Sequence, residues 1–311
     1  MTKYLLLIIV LISGCKTPGV AKNDEAIAYL NEVLSIMESH SVNRQKINWE
    51  DFRQKVMAKA TNAKTIAQTY PAVQYAIKLL GDKHSYFAPV NDDTDDALGP
   101  PPILPDLEVP DDIGYIRVRY CMGNDSIKKA YITQITEDIK TRDKDNLKGW
   151  VVDLRGNFGG DMAPMLLGIS PILGDGIAGY TAYPDGKYVT WQCHDNKLLF
   201  DDDVVTNPDT LILKNQNPYV AVLTDTLTAS SGEAVTVAFK QRPKTRSFGQ
   251  HTYGVSTSNE GFTLSDGSRM LLTVAVFADR NKNKYGIPVQ PDEIIDPSKA
   301  LERAIQWLKT R

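Results

Sequence analysis

The chain has 311 residues, 42% of them hydrophobic and 23% charged, with a formal net charge of −3. That length and apolar content can support one large globular body or two smaller ones. A mildly acidic balance without a basic run argues against nucleic acid as a partner. Three cysteines without C-x-x-C spacing give no support to zinc or thiol-redox chemistry.

In chain order, Lys3 is followed by nine apolar residues, 4–12, and then by Ser13-Gly14-Cys15. Nine residues suit the hydrophobic region of a signal peptide and are too few to span a bilayer. Ile12-Ser13-Gly14-Cys15 resembles a bacterial lipobox, which implies cleavage before Cys15 and lipidation of its sulfur. Residues 1–14 are then a lipoprotein signal peptide and 15–24 a tether. The expected place is the periplasmic side of a bacterial membrane or the cell surface, and Lys16 rather than Asp after the cysteine points to the outer membrane. From residue 25 to about 80 the apolar positions recur at helical spacing, as in Ala28, Leu30, Val33, Leu34 and Met37. That predicts a small bundle of three or four helices over 25–90, with a helix start at Asn48-Trp49-Glu50-Asp51. Residues 91–112, rich in proline and aspartate, read as a linker.

Beyond the linker, strand and helix patterns alternate. Residues 114–120 read as a strand and 124–142 as a charged helix. Residues 149–154 form a nearly continuous apolar run, as in a buried parallel strand. The turn Arg155-Gly156-Asn157-Phe158-Gly159-Gly160 leads into an apolar helix over 162–173. A second buried run, 219–224, precedes Thr228-Ala229-Ser230-Ser231-Gly232-Glu233 and a further helix. Residues 262–276 predict a hairpin around Asp266-Gly267, and Pro297 opens an amphipathic C-terminal helix. The alternation predicts an α/β body over 113–311.

Strand, small-residue turn and helix place Ser230 at a helix N-terminus, where backbone N–H groups and the helix dipole favour developing negative charge. The same residues also satisfy a capping box, a purely structural role. Three segments together decide between the two: Gly81-Asp82-Lys83-His84-Ser85, Asp153-Leu154-Arg155-Gly156-Asn157-Phe158-Gly159-Gly160, and 228–233. With them the chain resembles the tail-specific (carboxy-terminal processing) protease family, in particular the branch of the tricorn core protease and interphotoreceptor retinoid-binding protein. Phe248-Gly249-Gln250-His251-Thr252-Tyr253-Gly254 and Val289-Gln290-Pro291-Asp292 extend the likeness over residues 25–310.

The resemblance implies a crotonase-like (ClpP-like) spiral of ββα units and a serine peptidase acting on peptides or proteins. Ser230 would be the nucleophile. The oxyanion hole would use the backbone N–H of Ser231 with one from Gly159 or Gly160. The lysine of the family's Ser/Lys members falls on Val255, which cannot accept a proton, so the general base is expected at His84, as in the tricorn-like branch, with His251 as runner-up. A carboxylate or hydroxyl should complete the relay: Ser85 neighbours His84, Glu233 stands in the capping box, Asp279, Asp292 and Glu293 stand where a late acid could lie, and none is assigned. Only 26 residues, 88–113, separate the histidine segment from the first core strand, far too few for the PDZ domain many relatives carry there. No metal and no cofactor is expected: Asp279-x-Asn281-x-Asn283 begins like a calcium loop, but Lys284 and Gln290 stand where glycine and glutamate are required. The rival from another class is a non-catalytic protein binding apolar ligands or peptides on the same scaffold; an esterase is a further one.

Overall fold

The computed structural model describes residues 22–90, 108–201, 203–207 and 209–311. The signal-peptide and lipobox expectations, Cys15 included, and most of the expected linker lie outside these. Helix α1 (Lys22–His40) carries Asp24 and Glu25 in its first turn, where negative charge complements the dipole. Helix α2 (Trp49–Lys59) is capped by the Asn48 side chain, which accepts from the Asp51 N–H, as the sequence predicts. Helix α3 (Tyr70–Leu79) starts with Pro71 in its first turn, where the missing N–H costs nothing. The helices meet through Leu30, Val33, Leu34, Met37, Phe52, Val56 and Val73, all buried.

This bundle is not a free-standing unit. The short strand β1 (Tyr86–Ala88) that follows it pairs antiparallel with residues 269–271. The helices share their core with Met270, Leu272, Val274 and Ala275 from the same late strand.

The body begins with β2 (Ile113–Arg117), α4 (Asp125–Arg142) and β3 (Gly149–Asp153). The predicted helix over 162–173 is two: α5 (Met162–Gly168), capped by Asp161, and α6 (Ser170–Leu173). They part at Ile169, just before Pro171 opens the second turn. Strands β4 (Gly176–Ala182), β5 (Tyr188–His194), β6 (Lys197–Phe200) and β7 (Asp203–Thr206) then run as an antiparallel meander. Next come β8 (Val220–Thr224), α7 (Ser231–Phe239), β9 (Thr245–Gly249), β10 (Thr257–Thr263), β11 (Arg269–Ala278), β12 (Glu293–Ile294) and α8 (Pro297–Lys309). The β10–β11 hairpin is present, but its turn spans 264–268 rather than two residues. Leu264 N–H bonds Ser268 O, and the Asp266 carboxylate takes the Ser268 N–H and the Tyr70 hydroxyl.

Two sheets result: an all-parallel one in the order β12-β9-β8-β3-β2, and an antiparallel one in the order β1-β11-β4-β5-β6-β7 with β10 also on β11. The parallel sheet explains the apolar runs of the sequence. Every residue of β3 and β8 is buried. Trp150, Val152, Val220 and Val222 face a core shared with α4, α5 and α7. Val151, Ala221 and Leu223 face α8, which contributes Ala300, Leu301, Ala304, Trp307 and Leu308. Each such Val or Leu contributes roughly 1.5–3 kcal/mol of burial. With both faces covered, function falls to the loops leaving the carboxyl ends of the strands. Among the described residues, no helix is long and apolar enough to cross a membrane.

Candidate active site

Two neighbouring parallel strands, β3 and β8, deliver the two glycine- and serine-rich turns side by side. After β3, the Asp153 carboxylate holds Arg155 through Nε at 2.9 Å and Nη2 at 2.6 Å, and takes the Tyr115 hydroxyl at 2.8 Å. Arg155 Nη1 in turn donates to Pro297 O. This Asp-x-Arg pair is therefore a clamp beneath the turn. Asn157 shapes the turn itself: Oδ1 accepts from Gly159 N–H at 3.0 Å and Nδ2 donates to Val118 O at 2.9 Å. Its carbonyl takes the Ala229 N–H at 2.8 Å, stitching the glycine turn to the serine turn. Thr228 adds a second stitch, Oγ1 to Leu154 O at 3.0 Å.

Ser230 is the N-cap of α7 with φ 51° and ψ −117°. A non-glycine residue at positive φ is strained, and such strain persists only where surroundings over-determine it. The surroundings here centre on Glu233, whose carboxylate is completely buried. Oε2 accepts the N–H of Ser230 at 3.0 Å and of Val255 at 2.8 Å. Oε1 accepts the Gly254 N–H at 2.9 Å and the Thr252 hydroxyl at 2.5 Å. Burial pushes this carboxyl above its ordinary pKa, and the four donors oppose the rise. The capping-box reading is thus half of the truth: Glu233 does hold the Ser230 N–H, and it also anchors the segment after β9.

Gly159, at φ 121°, lies against the serine. A Cβ there would sit 2.8 Å from Ser230 Cβ and 3.3 Å from its Oγ. At Gly160, φ 107°, a Cβ would come 2.1 Å from Cys121 O. Both positions require glycine. The Gly159 N–H is committed to Asn157, so of the two it is Gly160 whose N–H is unoccupied. Among the described residues no hydrogen bond takes the N–H of Gly160 or of Ser231. The Ser231 hydroxyl donates to Gly160 O at 2.6 Å, which locks the helix start to the glycine turn.

The histidine comes from the other layer. Residues 81–85 loop between α3 and β1, and Asp82 Oδ1 accepts the N–H of His84 at 2.9 Å and of Ser85 at 2.7 Å. Thr273 on β11 donates its hydroxyl to the same carboxylate at 3.0 Å, and Asn259 on β10 donates to His84 O at 3.3 Å. His84 Nδ1 lies 2.7 Å from Thr257 Oγ1. Burial lowers the His84 pKa below its ordinary value, and the Asp82 carboxylate works against that shift.

His84 and Ser230 line one cavity of about 800 Å3. Gly160, Ser231, Val255 and Thr257 line it too, with apolar walls from Met122, Phe158, Met162, Leu227, Leu271 and Phe277. The sequence-predicted Ser230, His84, Ser231 and Gly160 are thereby brought together. His251 is exposed, bonds Thr252 O through Nδ1 at 2.9 Å, and does not line the cavity. The late acids are engaged elsewhere. The Asp279 carboxylate is filled by Asn281 N–H, Asn283 and Tyr285, Asp292 holds Ser247 and Lys240, and Glu293 pairs with Arg246 and Arg303. Thr257 carries no signal in the sequence, while Asp82 and Asn157 stand in the motif segments with no role assigned to them there. Cys121 and Cys193 are both free and buried. Among the described residues one group of candidate metal donors, Asp175, His194 and Asp195, is exposed and does not line the cavity.

The mixed α/β fold, with its pair of interlocked turns at the carboxyl ends of parallel strands, belongs to a peptidase hydrolase, as the family match shows. Residues 112–295 match the model of peptidase family S41, and the chain belongs to that family. It is 31% identical to the nisin-resistance protein of Lactococcus lactis subsp. lactis, over 91% of this chain and 87% of that one. Among solved structures it is similar to a lipoprotein from Streptococcus agalactiae, 26% identical with a TM-score of 0.74 and 100% of both chains covered. The photosystem II D1 C-terminal processing protease shares the fold at a TM-score of 0.61 and 17% identity, over 91% of this chain and 97% of that one.

Proposed function

We propose that the protein is a lipid-anchored serine peptidase in which Ser230 is the nucleophile and His84 the general base. Ser230 Oγ attacks the peptide carbonyl while His84 Nε2 takes its proton. The N–H groups of Ser231 and Gly160 hold the tetrahedral oxyanion. His84 then returns the proton to the leaving amine, giving an acyl-enzyme that water hydrolyses by the same steps in reverse. One preorganised oxyanion donor is worth about 3 kcal/mol in such chemistry. The observation that carries this reading is the strained Ser230 at the head of α7, on the wall of the cavity that also holds His84. Placement of the base on His84 agrees with the tricorn-like branch, and the crotonase-like spiral and the anchor at Cys15 belong to the same reading. The anchor has added support from the similarity to a streptococcal lipoprotein.

The mostly apolar cavity suits an extended peptide with apolar side chains, and the relative named for nisin resistance makes nisin the first substrate to try. Incubation with nisin and with a peptide library, read by mass spectrometry, should give new termini with the wild type and none with Ser230→Ala. Intact peptides throughout, together with uptake of an apolar fluorophore, would replace the peptidase by the binding-protein alternative.

A further inference from the structure

Among the described residues no carboxylate bonds the ring of His84, and a hydroxyl stands at its Nδ1 instead. We infer that Thr257 is the positioning residue for His84, fixing its Nδ1–H tautomer and referencing the imidazole to Ser230 through Glu233. The inference rests on the Ser/His reading above. Thr257 Oγ1 stands 2.7 Å from His84 Nδ1, and it also has an acceptor of its own, Val255 O at 3.4 Å. A hydroxyl that gives its proton to that carbonyl can only accept from the ring, so Nδ1 carries the hydrogen and Nε2 keeps its lone pair for the serine.

The threonine is well held for this role. It is buried, β-branched and at the first position of β10, paired with Val276 and followed by a bulge between Ser258 and Asn259. Its N–H bonds Val255 O at 2.7 Å. The Val255 N–H in turn shares Glu233 Oε2 with the N–H of Ser230. One carboxylate oxygen therefore sets the nucleophile's backbone and, two residues along the chain, the partner of the base. This short path joins two elements that sequence separates by well over a hundred residues. A neutral hydroxyl orients the imidazole without the charge stabilisation that an aspartate would give the imidazolium.

The test uses the full chain and Thr257→Val and Thr257→Ser. With wild type first shown to label at Ser230 with a fluorophosphonate, Thr257→Val should lower kcat about 100-fold with KM little changed, and Thr257→Ser should recover most of the loss. Independently of either variant, 15N resonances of His84 in Ser230→Ala should report the Nδ1–H tautomer. An Nε2–H tautomer, or a Thr257→Val enzyme as fast as wild type, overturns the inference and leaves the peptidase reading intact. A wild type that neither labels nor cleaves removes the peptidase reading itself.

Discussion

The parallel and antiparallel halves of the molecule build the site in different ways. The parallel half presents Ser230 and the glycine turn from adjacent strands whose every residue is buried, with the turns bonded to each other through Asn157, Thr228 and Ser231. The antiparallel half presents His84 from a partly exposed loop, held to β10 and β11 by a few polar contacts. Damage to the first half should therefore appear mainly as lost stability, and damage to the second mainly as lost activity. Ser230, the proposed nucleophile, is the exception in the first half, since its hydroxyl is the proposed reacting group as well as part of a capping box.

The largest effect expected is that of Ser230→Ala, a fall in kcat/KM of roughly 10^4-fold or more with the melting temperature close to wild type. A residual rate within tenfold would place the chemistry elsewhere. Next comes Glu233→Gln, which sets an amide NH2 against N–H and hydroxyl donors. Thermal or denaturant unfolding should show a loss of about 2–3 kcal/mol, and an unchanged midpoint would mean that the buried carboxylate is not the clamp described.

Asp82→Ala sharpens the comparison from the other side. It should lower kcat/KM about 30-fold, in line with lost orientation of the proposed base, while unfolding moves little. The smallest effect is on pH dependence. Burial favours neutral His84, so the acid limb of kcat/KM should lie below pH 6.5. The Asp82 carboxylate favours the charged ring, so Asp82→Ala should move that limb lower still. An acid limb above 6.5 in the wild type would contradict the burial of the imidazole.

The same contrast sets what the sequence made legible. Residues 150–152 and 220–223 are apolar because α4, α5 and α7 cover one face and α8 the other. Period and composition alone therefore announce them, and the two motif turns follow them directly. The histidine loop gave only Gly-Asp-Lys-His-Ser, and its meaning depended on a family resemblance. Thr257 was out of reach because its role arises from a contact across 173 positions, to which no local pattern corresponds. The meander β4–β7 carries no motif, and its strands mix buried, half-buried and exposed positions. Its Asp195-Asn196 turn, with φ 48° and 57°, does carry the left-handed pair that a tight hairpin requires. The bundle over 25–90 was legible as helices, while its strand β1 and its shared core with β11 were not, since a three-residue strand has no period to detect.

The central claim, that an imidazole from the N-terminal segment activates Ser230, is tested most directly by the rate of fluorophosphonate attachment in wild type and in His84→Ala. Attachment to Ser230 is expected in both, slowed at least about 100-fold by loss of the imidazole. Equal rates, or attachment to another residue, would contradict it.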